Sequence, residues 1–361
     1  MLLNIALIAG GFVVLVFGAD ALVKGASRLA LSLGMTPLVV GLTVVAFGTS
    51  APELAVSVAS AWSGQADLAV GNVVGSNIAN VLLILGVSAL VAPLVVNQQL
   101  VRLDVPIMLG ASVLFYVLCL DGRIGLWDSV LLAGGILAYV IFLIRESRRE
   151  KDSAVLAEYE QALESGGSLP VNLVWILVGL VGLVAGAQLL VEGAVALARL
   201  FGVSELMIGL TVLAVGTSLP ELATSVVAAM RGERDIAVGN VVGSNIFNLL
   251  SVLGFTGLVS LGNLPVAPAA LALDIPVMLG VALLCVPIFR AGFVVTRANG
   301  VLFLFCYLAY LTWLVLSNSA GGAPDWLANV LLGGLMPLAV VFTLVSFVLS
   351  VSEERRAPPA H

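Results

Sequence analysis

In its 361 residues the chain carries 61% hydrophobic and 10% charged side chains, with a mean hydropathy of +1.17. Soluble globular chains hold about 45–50% apolar and about 25% charged residues, so a water-soluble enzyme is excluded. A net charge of −6, a pI of about 4.8 and no basic run longer than Arg148-Arg149 argue against nucleic acid as a partner.

Apolar segments of bilayer-spanning length are predicted at 3–32, 37–62, 68–92, 103–120 and 126–145, then at 172–201, 206–230, 236–260, 272–290 and 299–317, with an eleventh at 327–351. The first has neither a basic n-region nor a small-residue cleavage pattern, and it reads as a membrane helix instead of a cleaved signal. Segment 146–170 mixes charges, including Glu158, Glu160 and Glu164, and ends in Ser165-Gly166-Gly167-Ser168-Leu169-Pro170; it reads as a solvated connector. Cys119, Cys285 and Cys306 lie in apolar runs without CxxC spacing and are expected to be buried core side chains. The one histidine is His361, which removes His-dependent serine or zinc chemistry inside the membrane.

The chain is an internal duplication. Gly41-Leu42-Thr43-Val44 recurs at 209–212, and Gly71-Asn72-Val73-Val74-Gly75-Ser76-Asn77-Ile78 recurs letter for letter at 239–246, both at an offset of 168. Leu103-Asp104-Val105-Pro106 and Leu273-Asp274-Ile275-Pro276 echo each other at an offset of 170. Five spans per copy is an odd number, so the second copy enters the membrane from the opposite side. The predicted fold class is an all-α polytopic membrane protein, two inverted five-helix repeats of about ten transmembrane helices plus one extra C-terminal helix. The divisions follow: 1–145 for the first repeat, 146–171 for a cytoplasmic linker, 172–317 for the second repeat, and 318–361 for the additional helix and a cytoplasmic tail. With the N-terminus outside, thirteen of the fifteen Lys and Arg residues fall on the cytoplasmic side, Arg123 and Arg199 excepted. The expected location is the cell membrane, inner or plasma, with multiple passes.

Ionisable groups within a bilayer cost roughly 2.5–3.5 kcal/mol each on insertion scales, so each acid in a span needs a reason. Glu53 and Glu221 lie deep in the second and seventh spans, in Gly48-Thr49-Ser50-Ala51-Pro52-Glu53 and Gly216-Thr217-Ser218-Leu219-Pro220-Glu221. Pro52 and Pro220 cannot donate to the carbonyls of Gly48 and Gly216, so each helix is expected to break there. Carbonyls around Thr49 and Thr217 then face inward, the following half-helix favours an ionised glutamate, and the hydroxyls of Ser50 and Ser218 stand beside them. Ser76 with Asn80, and Ser244 with Asn248, are i, i+4 pairs that add neutral oxygens. Two carboxylates with carbonyls, amides and hydroxyls form the all-oxygen set that Ca²⁺ or Na⁺ prefers. Gly71 with Gly75, and Gly239 with Gly243, make small-residue faces for close helix packing. Asp104 and Asp274, near the starts of their spans, are expected to cap helix N-termini at the membrane surface. Asp20 corresponds to Gln188 and is left out of the site.

The paired G-T-S-x-P-E and G-N-x-x-G-S-N-x-x-N motifs resemble those of the cation/calcium exchanger (CaCA) superfamily, and its compact prokaryotic calcium/sodium antiporter branch most. The resemblance covers most of 37–92 and 205–260 and the ten-span plan around them. It implies a secondary antiporter, not an enzyme and without a cofactor, that moves Ca²⁺ against Na⁺ across the lipid bilayer. Glu53 and Glu221 would be the shared carboxylates, Thr49 and Thr217 would add backbone oxygens, and Ser50, Ser76, Asn80, Ser218, Ser244 and Asn248 would complete the ion sites. Some relatives have aspartate at the position of Asn80 or Asn248. Asparagine in both copies points away from potassium dependence and leaves H⁺/Ca²⁺ exchange as the alternative. An alternative of another class, an intramembrane aspartyl protease using Asp104 and Asp274, needs both at one depth, whereas the predicted topology puts them near opposite faces.

Overall fold

The structure is a computed structural model that describes residues 1–64, 66–149, 168–201 and 214–317, together with Val341. Its first half begins with α1 (Leu2–Leu33), which ends where Gly34 turns left-handed at φ 62°. There follow α2 (Pro37–Thr49), α3 (Ala51–Trp62), α4 (Leu68–Val91), α5 (Leu100–Asp121) and α6 (Leu126–Ser147). The second half has α7 (Leu169–Leu200), a helical turn at Ala214–Gly216, α8 (Leu219–Met230), α9 (Arg234–Val259), α10 (Ala270–Arg290) and α11 (Arg297–Ser317). Among the described residues eight helices are long and apolar enough to cross a membrane, and the bent pair α2–α3 makes a ninth. The seventh expected span is described only from 214 on, as the turn and α8. The connector at 150–167 lies outside the described residues, as does the expected eleventh span apart from Val341.

Short strands show that the repeats are inverted. β1 (Leu94–Val95), after α4, pairs antiparallel with β4 (Val294–Val295), before α11. β2 (Arg123–Ile124), before α6, pairs with β3 (Leu264–Pro265), after α9. The α4–α5 loop of the first copy thus meets the α10–α11 loop of the second at one end, and the corresponding loops meet at the other. Equivalent loops stand on opposite faces, as a pseudo-two-fold axis in the membrane plane requires.

That axis passes between α1 and α7, which pack antiparallel along most of their length. Glycine recurs at every seventh residue on both, at 11, 18 and 25 and again 168 residues on at 179, 186 and 193. A Cβ on Gly18 would lie 2.6 Å from the backbone nitrogen of Leu183, and one on its mate Gly186 would lie 2.5 Å from that of Leu15. The two backbones therefore touch, with no side chain between them.

Within the core the proline expectation holds. Thr36 accepts the N–H of Val39 to start α2 behind Pro37, and the helix stops at Ser50, whose ψ of 3° takes α3 away at 40°. Pro52 and Pro220 occupy the first turns of α3 and α8, where a missing N–H costs no helical bond. Wider π-helical turns occur at Asn80–Leu85 and Asn248–Val252, in matching places of α4 and α9, and at Leu100–Asp104 and Ala270–Asp274 in α5 and α10. Such turns re-aim the side chains on either side of them.

Candidate functional site

The two helix breaks lie close enough in the buried interior for each copy to supply groups to the other. Glu53 and Glu221 are fully buried, on the first turns of α3 and α8, close enough for their charges to interact. Ser50 of the first copy donates to Glu221 Oε1 of the second at 3.3 Å, while Ser218 of the second donates to Ser76 of the first at 3.4 Å. Thr49 lies 3.5 Å from Ser244, hydroxyl to hydroxyl. Asn80 and Asn248 stand at the π-helical turns, both buried. Thr217 lies in the break before α8, with its hydroxyl buried and without a hydrogen-bond partner.

Asparagines outside the predicted set hold this arrangement. Asn72 donates to the backbone carbonyl of Glu53 at 3.3 Å and to Ser57 at 3.1 Å; Asn240 does the same for Glu221 at 3.3 Å and Ser225 at 2.9 Å. Each amide thereby ties the turn that carries a glutamate to the neighbouring helix. Asn80 donates to Asn245 Oδ1 at 3.0 Å, and Asn248 donates to Asn77 Oδ1 at 3.1 Å. These bonds use the NH₂ ends, so the carbonyl ends of Asn80 and Asn248 point elsewhere. The signal for all four bracing asparagines was in the octapeptide that recurs letter for letter, 71–78 and 239–246.

Both carboxylate oxygens of Glu53, Oε2 of Glu221, Oδ1 of Asn80 and Oδ1 of Asn248 are buried without a hydrogen-bond partner. Buried acceptors left in that state cost roughly 1–3 kcal/mol each, more when charged, unless something positive meets them. Among the described residues no cluster of three or more His, Cys, Asp or Glu side chains exists, so the acids here are the two glutamates alone.

Small-residue packing is present in the second copy. Cβ atoms at Gly239 and Gly243 would meet the backbone of α2, at 3.1 Å from the carbonyl of Leu38 and 2.8 Å from that of Leu42. For Gly71 and Gly75 nothing described lies within 4 Å, and of the segment that corresponds to α2, 205–217, the part 205–213 lies outside the described residues.

The aspartates are not surface caps. Neither side chain makes a capping hydrogen bond to the helix that follows it, because α5 and α10 already begin one π-helical turn earlier. Asp104 is fully buried and accepts from Tyr139 at 3.1 Å and Gln99 at 3.3 Å; Asp274 is half-buried and accepts from Tyr310 at 2.9 Å. Each clamps the start of one helix to the last helix of its own copy.

The family model for the sodium/calcium exchanger protein matches residues 3–145 and 171–316. The inner membrane protein YrbG of Escherichia coli is 40% identical over 324 residues, covering 87% of this chain and 98% of that one. The sodium/calcium exchanger MaX1 of Methanosarcina acetivorans is 35% identical over 347 residues, with 86% and 98% covered. The solved structure of the sodium/calcium exchanger from Methanococcus jannaschii superposes with a TM-score of 0.72 at 29% identity, over 86% of this chain and 98% of that one. Inverted repeats and these matches through both copies agree: the chain belongs to the sodium/calcium exchanger family, multi-pass membrane ion transporters and not enzymes.

Proposed function

We propose that the chain exchanges Ca²⁺ for Na⁺ by alternating access at one midplane site built on Glu53 and Glu221. The observation that carries this reading is the set of buried carboxylate and amide oxygens without hydrogen-bond partners, drawn from both copies. Hard cations take oxygen ligands of this kind, and two ionised carboxylates balance one Ca²⁺. Ser50, Ser76, Ser218 and Ser244, with the backbone oxygens of Thr49 and Thr217, complete the shell, and Asn80 and Asn248 face the ions with their carbonyl ends. The ions are cargo; the site needs no resident cofactor.

The repeats 1–145 and 172–317 then move against each other about the site, joined by a cytoplasmic linker at 146–171, with 318–361 as an added helix and tail. The N-terminus lies outside the cell membrane, the side that leaves the connector and thirteen of fifteen basic residues inside. Labelling of a cysteine at Ser153 from outside intact cells would contradict this orientation.

The deciding experiment is Ca²⁺ uptake by proteoliposomes under an imposed sodium gradient, compared with a pH gradient without sodium. Uptake that follows sodium is the expected result. Uptake that ignores sodium and follows the proton gradient would make the protein a proton/calcium exchanger on the same two glutamates.

A further inference from the structure

The two copies correspond residue for residue, yet their surroundings differ. α1 runs along α8, and Thr224, Ala228 and Ala229 on α8 are buried. The mates α7 and α3 form no comparable seam among the described residues, and Val56, the counterpart of Thr224, is 42% exposed. Hydrogen bonds divide the same way. Thr49 donates to Asn240 Oδ1 at 3.1 Å, while the mate, Thr217, leaves its hydroxyl buried and unpaired. Among the described residues, therefore, α8 is packed under α1 whereas its mate α3 is not packed under α7.

One ion pair ties α1 to the turn after α8: Arg231 bonds Asp20. It has no symmetric counterpart, because 20 + 168 is Gln188 and 231 − 168 is Ser63. The neighbouring acid Glu233 likewise corresponds to a neutral residue, Gln65, whereas Asp235 keeps an acidic mate in Asp67. Around the pair, Lys24 sits 4.7 Å over the ring of Trp175, and burial raises the Glu233 carboxyl above its ordinary range, with Ser27 and Arg231 opposing the rise. A symmetric carrier would have equal hold on its two states, whereas here the sequence supplies a charge pair on α1 and α8 whose mates on α7 and α3 are the neutral Gln188 and Ser63.

We infer that Asp20 and Arg231 form a one-sided latch, which holds α1 on α8 and so favours the state in which these two helices are packed; the matching positions in the other copy, Gln188 and Ser63, cannot form such a pair. The inference rests on the alternating-access reading above. Both side chains are about two-fifths exposed, so the bias such a pair supplies is up to about fivefold in the ratio of the two states.

The test uses the full chain in proteoliposomes, with a single reporter cysteine at Ala228 on α8 or at Val56 on α3 and a membrane-impermeant thiol reagent supplied to both faces. The native cysteines are buried, so the reporter dominates the signal. Asp20→Asn and Arg231→Gln should each speed labelling at 228 and slow it at 56, by up to about fivefold. The swap of Asp20→Arg with Arg231→Asp should return both rates toward those of the unaltered pair. Unchanged rates in the single variants, a swap that fails to restore them, or a rise at both reporters together would each overturn the latch. Labelling needs neither Ca²⁺ nor Na⁺, so a failure of sodium coupling in the flux assay is a separate result and leaves this one readable.

Discussion

Asn248 gives its amide N–H to Asn77 Oδ1 at 3.1 Å, across the interface between the two repeats. That bond settles which end of the Asn248 amide is spent on the protein and which is free, for the carbonyl end is buried with no hydrogen-bond partner. The amide of Asn77 in turn donates to the backbone carbonyl of Asn245 at 3.3 Å, so the orientation is fixed through two links.

Removing the brace should therefore weaken ion binding without unfolding the chain. In Asn77→Ala the Asn248 amide loses its acceptor and turns freely, presenting N–H as readily as C=O to a cation. Groups that orient a metal ligand typically cost about 10–100-fold in affinity when removed, and a loss of that size in the apparent Ca²⁺ affinity of flux is expected. Wild-type affinity in Asn77→Ala would show that the amide orientation is set elsewhere.

The glutamates themselves allow a sharper outcome. Glu53→Gln and Glu221→Gln keep size and shape but leave one charge to face a divalent ion in a buried site, where an uncompensated charge is far costlier than at the surface. Each variant should insert and fold, and each should bring Ca²⁺ uptake down to that of empty vesicles. Uptake at the wild-type rate in either one would remove that residue from the site.

The α1–α7 seam gives a test that does not depend on ions. Gly18→Ala and Gly179→Ala place a methyl carbon 2.6 Å and 2.5 Å from the backbone nitrogens of Leu183 and Leu22, contacts that only helix separation can relieve. Overpacking of this kind costs about 1–3 kcal/mol, which should appear as a lower unfolding temperature in detergent. Gly10→Ala, with nothing within 4 Å, is the control and should be neutral. Equal stability of all three would mean that the seam is looser than its geometry.

Much of this was legible in the letters. Long apolar runs mark the spans, the repeated octapeptide marks the duplication, and a proline before each buried glutamate marks the helix breaks, because each is a local consequence of composition or of one missing N–H. The bracing asparagines were visible as letters but not as braces, since Asn80 meets Asn245 only after two helices 165 residues apart have crossed. The glycines at 11, 18 and 25 and their mates read as ordinary members of an apolar stretch until the facing helix is known. Asp104 and Asp274 were misread because the apolar segments at 103–120 and 272–290 start two or three residues after the helices do, which puts an acid of the first π-helical turn at the helix end. Asp20 was set aside because its counterpart is Gln188; its partner, Arg231, lies far along the chain, and the lack of a symmetric pair is what makes the ion pair informative.

The last prediction concerns the counter-ion and turns on position 248. Two carboxylates carry a charge of about −2, which one Ca²⁺ or two Na⁺ would balance, while a third Na⁺ would leave a surplus positive charge in a poorly screened site. Asn248→Asp adds a third carboxylate there, and it cannot donate to Asn77 Oδ1 as the amide does at 3.1 Å. Either the Asn77 amide turns over and gives up its bond to Asn245, or the new acid holds a proton. In a sodium-coupled exchanger the added charge should lower the sodium concentration needed to drive exchange and slow calcium turnover, because the calcium-loaded carrier then crosses with a net charge. In a proton-coupled exchanger the third acid joins a set of interacting titrating groups, and the change should be in the pH optimum of flux, with no new dependence on sodium. Calcium flux in wild type and Asn248→Asp, measured against sodium at fixed pH and against pH without sodium, separates the two. Wild-type flux that ignores sodium and follows the pH gradient, with a pH profile that moves in Asn248→Asp, would overturn sodium coupling, even if both proteins transport calcium at similar rates.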